Sequence, residues 1–432
     1  MVENIYHTVK FFLYYSQVFG LNPVILRRKD GKYYFQTFWL GICYSLSLAA
    51  FLCFSFQFSL GNIKMFADND SDIMFMHTVC KLVLGPICVG IIFVSSALSA
   101  GNVCAVINKL SEYDEIFQRN IAQMKYKWIK YIFLCCFLFS LGLCSAYFYN
   151  EDIVLRKVSE RSLSIYEFIS FFVSWCLFDI VSWTFILVVF SFLYLVYKKF
   201  FQINQKLVSV LSDYDKTDAQ HFDYSDKVFF ITQKIIEGER VPTPRPQNNT
   251  DLRKYIIKKV KQIRHLHILL VKISQDLNRI FSTRILTIVS LNVILLCFSS
   301  FLLILMLVLG RRDSVLGTAI IWVCTRFFPT CVLIAPFCLV SNEADKTSAL
   351  VHLYMSKVED IELRNELQVF SMQLNNRKLT FTTHGFFDLD GRTILSVVGA
   401  SFAYLVVLLQ FHMTMSSLKG NKDNSTQINS ME

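Results

Sequence analysis

No cysteine falls in the segments 61–72, 150–163 or 310–315, although the chain holds 13. All of them lie in or beside apolar runs, Cys135, Cys136, Cys176 and Cys338 among them. That placement excludes a disulfide framework and a CxxC metal site, and leaves most of these thiols as small apolar fillers. Also missing are an HExxH zinc motif, a phosphate-binding glycine loop and a nucleophile motif, so the sequence offers no catalytic residue, metal ligand or cofactor site. His265 and His267 stand two apart on a helical pattern and point in different directions. No cleavable leader is expected either. The N-terminal MVENIYHTVKFFLYYSQVFGLNP breaks its apolar residues with Tyr, Ser and Gln and has no small-residue cleavage site. Its Ile5, Val9, Phe12 and Phe19 predict an amphipathic helix lying on the inner membrane surface.

The longest apolar runs lack the polar stripe that a soluble core helix needs. Seven are long enough to span a bilayer: roughly 38–60, 74–99, 128–149, 165–197, 285–309, 316–340 and 393–415. With 54% hydrophobic residues and a mean hydropathy of +0.43 across 432 residues, the chain is an integral membrane protein of all-α class with seven transmembrane helices. Of its 43 Lys and Arg, about 33 fall in the N-terminus and the even-numbered loops and about 8 in the odd-numbered loops and C-terminal tail, which predicts a cytoplasmic N-terminus and an extracellular C-terminus. The net charge of +10 is then inner-face charge beside anionic lipid, not a nucleic-acid footprint.

The inner segments are long. Residues 198–284 contain the polar SDYDKTDAQHFDYSDK and then VPTPRPQNNT, the latter an extended linker. From Asp251 a helical period takes over: Leu252, Ile256, Val260, Ile263, Leu270, Ile273, Leu277 and Ile280, with Lys and Arg between them. Ala344, Thr347, Val351, Tyr354 and Val358 extend the sixth span in the same way, and Leu363, Leu367, Phe370 and Leu374 follow it. Such stripes predict long cytoplasmic helix extensions that bury one another in a bundle, within or between subunits, or else lie separately on the membrane. The chain thus divides into a membrane part, 1–340, holding the first six spans with a ligand-binding outer half, and inner extensions at 198–284 and 341–390. A last helix at 391–415 and an outer tail at 416–432 complete it.

On a helical wheel of 393–414, Thr393, Ser396, Ala400, Ala403, Val407, Gln410, Phe411 and Thr414 share a small or polar face. Ile394, Leu395, Val398, Phe402, Leu405, Val406 and Leu409 form a greasy one. A small face lets membrane helices pack closely; one with hydroxyls and a Gln can equally line water, with Val407 and Phe411 as apolar rings that close a pore by dewetting. The wheel alone leaves both open.

The stretch FTTHGFFDLDGRTILSVVGASFAYLVVLLQF, 381–411, resembles the C-terminal signature of insect gustatory receptors. Their TYhhhhhQF motif, with h hydrophobic, matches Ala403-Tyr404, five aliphatics and Gln410-Phe411, Ala403 standing for the usual Thr. The resemblance implies a ligand-gated, non-selective cation channel built as a homo- or heterotetramer in the plasma membrane of chemosensory neurons. The last helices would line the pore, with Gln410 and Phe411 at the gate beside Val407, Ala403 and Thr414, and Tyr404 would couple this helix to its neighbours. Its partners would be a small-molecule tastant, permeating cations and the lipid bilayer. Leu405 stands where the sugar-receptor variant carries Glu, which disfavours the main sugar clade.

Charges inside spans are expensive and often functional. Lys81 and Arg326 lie about 12 and about 16 Å below the outer edge at 1.5 Å per residue, and Asp179 lies near the midplane. They predict an outward-facing cavity flanked by Trp175, Trp183 and Trp322, or a structural ion pair of Asp179 with Arg326 or Lys81. Asn69 and Asn424 begin glycosylation sequons in predicted outer segments. Rival readings are an insect odorant receptor, a G-protein-coupled receptor and a transporter. The second lacks its DRY-like and NPxxY-like motifs and outer disulfide here; the third lacks internal repeats.

Overall fold

The computed structural model describes residues 5–29, 32–61, 72–120, the single positions 131, 134, 138, 142, 145 and 149, and 165–218, 249–308 and 314–429. A backbone crossing lipid must satisfy its own hydrogen bonds, so the apolar runs become helices. In chain order the elements are α1 (Ile5–Val18), β1 (Val24–Lys29), β2 (Lys32–Thr37), α2 (Trp39–Gly61) and α3 (Asp72–Asn120). Then come α4 (Ile165–Asp218), α5 (Asn249–Val308), α6 (Ser314–Lys357), α7 (Ile361–Asn376) and α8 (Gly391–Asn429). Among the described residues six helices, α2 to α6 and α8, are long and apolar enough to cross a membrane. The run at 128–149 lies largely outside the described residues; within it Tyr131, Leu134, Leu138 and Tyr149 are helical and exposed.

At 1.5 Å per residue the 60 residues of α5 make a rod of about 90 Å, far more than a bilayer spans. Its polar half is held by its apolar stripe: Ile256, Val260, Ile263, Leu270, Ile273, Leu277 and Ile280 are all buried. They meet the stripe of α6 (Ala344, Thr347, Val351, Tyr354, Val358) and that of α7 (Leu363, Leu367, Phe370), all buried as well. Ion pairs bind α7 to the flank of α5: Lys261 and Arg264 reach Glu366 at 3.3 and 3.5 Å, and Arg253 meets Asp360. The extensions therefore cover one another within a single chain. Proline inside α3 (Pro86) and α6 (Pro329, Pro336) does not end either helix, as neighbouring membrane helices permit.

Three features depart from the sequence expectations. α3 does not stop near 99 but runs on to Asn120, burying Val103, Val106, Ile107, Leu110, Tyr113 and Phe117. The chain is not wholly helical: β1 and β2 pair antiparallel, Val24 opposite Thr37 and Lys29 opposite Lys32. This hairpin is tied to α3, the Asn108 side chain accepting from Phe35 N at 2.9 Å and donating to Phe35 O at 3.1 Å. Finally, α1 is no surface helix. Val9, Phe12, Leu13 and Ser16 are buried against the bundle, because that stripe finds apolar partners on α3 and α4. The turn after α1 needs its glycine. Gly20 has φ +74°, and a Cβ there would stand 2.9 Å from Leu48 and 3.0 Å from Phe93.

Candidate functional site

The last helix is set in place by the loop before it. Residues 381–390 fold into a tight turn in which Leu389 N donates to Phe381 O at 2.8 Å and Thr383 N to Phe387 O at 3.0 Å. His384 and Gly385 take positive φ to close it. The turn is fastened to α5. Asn278 and Ser282 side chains donate to Thr382 O at 3.0 and 3.2 Å, and His384 N donates to Ser282 Oγ at 2.8 Å. Thr283 Oγ1 lies 2.9 Å from His384 Nε2. Phe381 packs edge-on against Phe337 of α6, with ring centres 5.1 Å apart. Thr393, whose amide donates to Asp390 Oδ1 at 3.1 Å, then starts α8.

α8 rests on α5 and α6 through one narrow stripe. Thr393, Val397, Ser401 and Leu405, each four residues on from the last, are buried. Everything around them is barer. Of the residues singled out by sequence, Ala403, Val407, Gln410, Phe411 and Thr414 are exposed, and so are Ser396 and Gly399 beside them. Thr414 Oγ1 donates back to Gln410 O at 2.9 Å. Tyr404, expected to pack against neighbouring helices, is 63% exposed within its own chain. The greasy face divides: Leu405 joins the buried stripe, while Leu395, Phe402 and Val406 stay exposed. The helix continues to Asn429, so Asn424 sits on helical backbone; Asn69 lies outside the described residues.

The in-span charges come together. Asp179 of α4 receives both terminal nitrogens of Arg326 from α6, Nη2 at 3.1 Å from Oδ2, and Lys81 Nζ of α3 stands 3.5 Å from the same oxygen. All three are buried. Two cations on one carboxylate, closed off from solvent, make a framework that pins α3, α4 and α6 together. Trp322 is buried beside Leu302, Met306 and Ala319. Trp183 lies against Phe328, ring centres 6.3 Å apart. The Trp175 side chain lies outside the described ones.

Three further buried charged residues, Lys199, Asp114 and Arg284, were not singled out by sequence. Lys199 of α4 pairs with Asp114 of α3, both buried, and covers the Tyr113 and Phe117 rings at 5.4 and 5.0 Å. Arg284 of α5, fully buried, donates to Asn22 Oδ1 at 3.2 Å, Ser99 Oγ at 3.0 Å and Ile280 O at 3.2 Å. It stacks between Phe185 and Phe281. The available signal was its place at the threshold of an apolar run. Among the described residues no three His, Cys, Asp or Glu side chains group to hold a metal.

Bilayer-length helices around a common core, with buried ion pairs between them and a terminal helix bare on most sides, define a multi-pass helical membrane protein. Its sequence places it further. The chain belongs to the 7tm chemosensory receptor family, whose model matches residues 9–415. It is 24% identical to "Putative gustatory receptor 28a" of Drosophila melanogaster over 98% of this chain and 96% of that protein. It is 25% identical to the gustatory receptor for sugar taste 43a of the same fly over 41% of this chain and 40% of that one. In three dimensions it is similar to the insect olfactory receptor OR5 from Machilis hrabei in complex with eugenol. The TM-score is 0.61 at 13% identity, over 93% of this chain and 97% of that chain. The protein is a chemosensory receptor.

Proposed function

We propose that this receptor is of gustatory type and works as a tetrameric, ligand-gated, non-selective cation channel in the plasma membrane of chemosensory neurons. Four copies of α8, from identical or related chains, surround the pore. Ala403, Val407, Gln410, Phe411 and Thr414 face it, with Gln410 and Phe411 at the gate. A small-molecule tastant binds among α2 to α6 toward the outer side, and the extensions of α4 to α7 form a cytoplasmic anchor. The N-terminus is then cytoplasmic, in keeping with the basic hairpin Arg27, Arg28, Lys29 and Lys32 at that end.

One observation carries this reading. α8 buries a single stripe on its own chain and leaves bare a face with Ser396, Gly399, Ala403 and Gln410. Small and polar groups facing lipid gain little from it and leave the amide unsatisfied; facing water or a neighbouring copy, they are satisfied. The test is Phe411→Ala expressed in a heterologous cell. A smaller ring dewets less readily, so current without ligand should rise severalfold. Wild-type resting current and block in that variant would remove Phe411 from the gate.

A further inference from the structure

α3 and α5 do not close on each other along their whole contact. Between them runs an open groove of about 860 Å³. Its α3 wall follows one helical face from Gly90 to Lys109, about 28 Å at 1.5 Å per residue; its α5 wall comprises Asp276, Arg279, Ile280 and Thr283. The two ends differ in chemistry. Toward Gly90 the lining is Ile91, Val94 and Leu98, all exposed, Leu98 at 80%. Toward Lys109 it is Ser99, Asn102, Lys109, Asp276 and Arg279.

The change marks a membrane boundary. Beyond this level α3 exposes the charged Glu112, Glu115 and Arg119 beside Ile116, and Arg279 is the last exposed charge of α5 before its apolar run. Among the groove's own lining residues the charge balance is positive. Lys109 and Asp276 neutralise each other at 2.9 Å, which leaves the exposed Arg279 with no carboxylate among the described residues. Behind the wall stands a second cation. Arg284 is fully buried, pairs with no described carboxylate, holds Ser99 Oγ at 3.0 Å and keeps Nε without an acceptor.

We infer that this groove binds a phospholipid of net negative charge from the leaflet at the basic end of the bundle. The acyl chain lies along Ile91, Val94 and Leu98, and the phosphate sits against Arg279 with the Asn102 amide as donor. The groove length exceeds half of a full bilayer of about 40–45 Å, so a headgroup and one chain fit along it. Thr283 links the groove to the turn before the last helix through His384, which puts the bound lipid next to the segment that holds α8.

The full-length receptor, purified in detergent, would be incubated with phosphatidylserine, with phosphatidylcholine of the same chains, or with inorganic phosphate, and bound lipid counted by native mass spectrometry. Phosphatidylserine should be retained over phosphatidylcholine by about fivefold, the contribution expected of one basic residue at a membrane surface. Arg279→Gln should abolish that preference and Arg279→Lys keep most of it. Arg279 makes no described hydrogen bond, so thermal melting should not change. Leu98→Trp, filling the apolar end, should lower retention of both lipids. The inference is overturned if Arg279→Gln keeps the wild-type preference, or if millimolar phosphate displaces the lipid, which would make the site one for a free anion. Efficient cross-linking of Leu98→Cys between two copies in membranes would also overturn it, since a second chain would then fill the groove.

Discussion

Helices α4 and α8 are both long and apolar enough to cross a bilayer, yet 72% of the most apolar window of α4 is buried within the chain and only 17% of that of α8. α4 is scaffold: it touches α3, α5 and α6, and Asp179, Lys199 and Asn204 project from it into buried polar contacts. α8 has one stripe of contact and, among its described side chains, no buried charge. Low burial alone does not make it a pore wall, since α2 is equally bare at 17%. The exposed side of α2, however, is dominated by Trp39, Leu40, Tyr44, Leu46, Phe51 and Phe54, side chains that lipid accommodates. On α8 a sector of Ser396, Gly399, Ala403 and Gln410 lies beside a bulky one of Leu395, Phe402 and Val406. Two exposed sectors of different chemistry imply two environments. In the proposed channel the bulky side chains meet lipid, and the small or polar ones meet water or another copy.

The contrast is broken most severely at Asp179. Asp179→Asn leaves Lys81 and Arg326 buried with no shared carboxylate, and removing one partner of a buried pair costs about 3–5 kcal/mol. Thermal melting of the purified receptor and its surface level should both fall sharply. Receptors that do reach the surface should keep the ligand potency of the wild type while the maximal current drops. Arg326→Gln should behave alike. A shift in potency at unchanged surface level would mean that the triad touches ligand and is no mere scaffold.

A smaller effect is expected where the scaffold and α8 are joined. Ser282 Oγ donates to Thr382 O and accepts from His384 N, so Ser282→Ala leaves a part-buried amide unpaired, at about 1–3 kcal/mol. If the turn positions α8, the variant should change the ligand concentration for half-maximal current without changing the ligand's own affinity in a binding assay. Equal shifts in both would instead tie Ser282 to the ligand site.

Much of the scaffold was legible because burial imposes a period. The stripes Ile256 to Ile280, Ala344 to Val358 and Leu363 to Phe370 recur at three and four residues in the sequence and are buried in the structure. The extension of α3 carried the same signal in Val103, Val106, Leu110, Tyr113 and Phe117, beneath a less apolar background that hid it. The hairpin also had its sign, Asp30-Gly31 between Ile25-Leu26 and Tyr33-Tyr34-Phe35. What no period reveals is pairing over distance. Asp179 with Lys81 and Arg326, Ser282 with His384, and Arg284 with Asn22 join positions that only the packed bundle brings together. The exposed face of α8 lies between these cases: its side chains could be placed on a wheel, but which sector touched α5 and α6 depended on the turn at 381–390.

The mildest test concerns the far end of the scaffold, where α7 begins. Asp360 is its N-cap and accepts from Glu362 N at 2.8 Å and Leu363 N at 3.0 Å while meeting Arg253. Partial burial pushes this carboxyl up, but the Leu363 amide, the Arg253 guanidinium and the Glu362 amide outweigh it and hold its pKa below the ordinary carboxylate value. A lowered folded pKa means that the unfolded chain binds a proton more readily. The stabilisation is therefore present above the unfolded value of about 3.9 and lost as pH falls through the lower folded one. Arg253 is half exposed, so solvent screens the ion pair and the cap supplies most of the effect. Asp360→Asn keeps a competent cap and should cost no more than about 1 kcal/mol at neutral pH. As pH falls below about 3.9 and through the lower folded value, the difference between variant and wild type should close, because the wild-type carboxyl then loses its charge. Melting curves of the two proteins between pH 3 and 7 would show it; a gap that widens toward acid would mean that α7 is held by contacts other than its first turn.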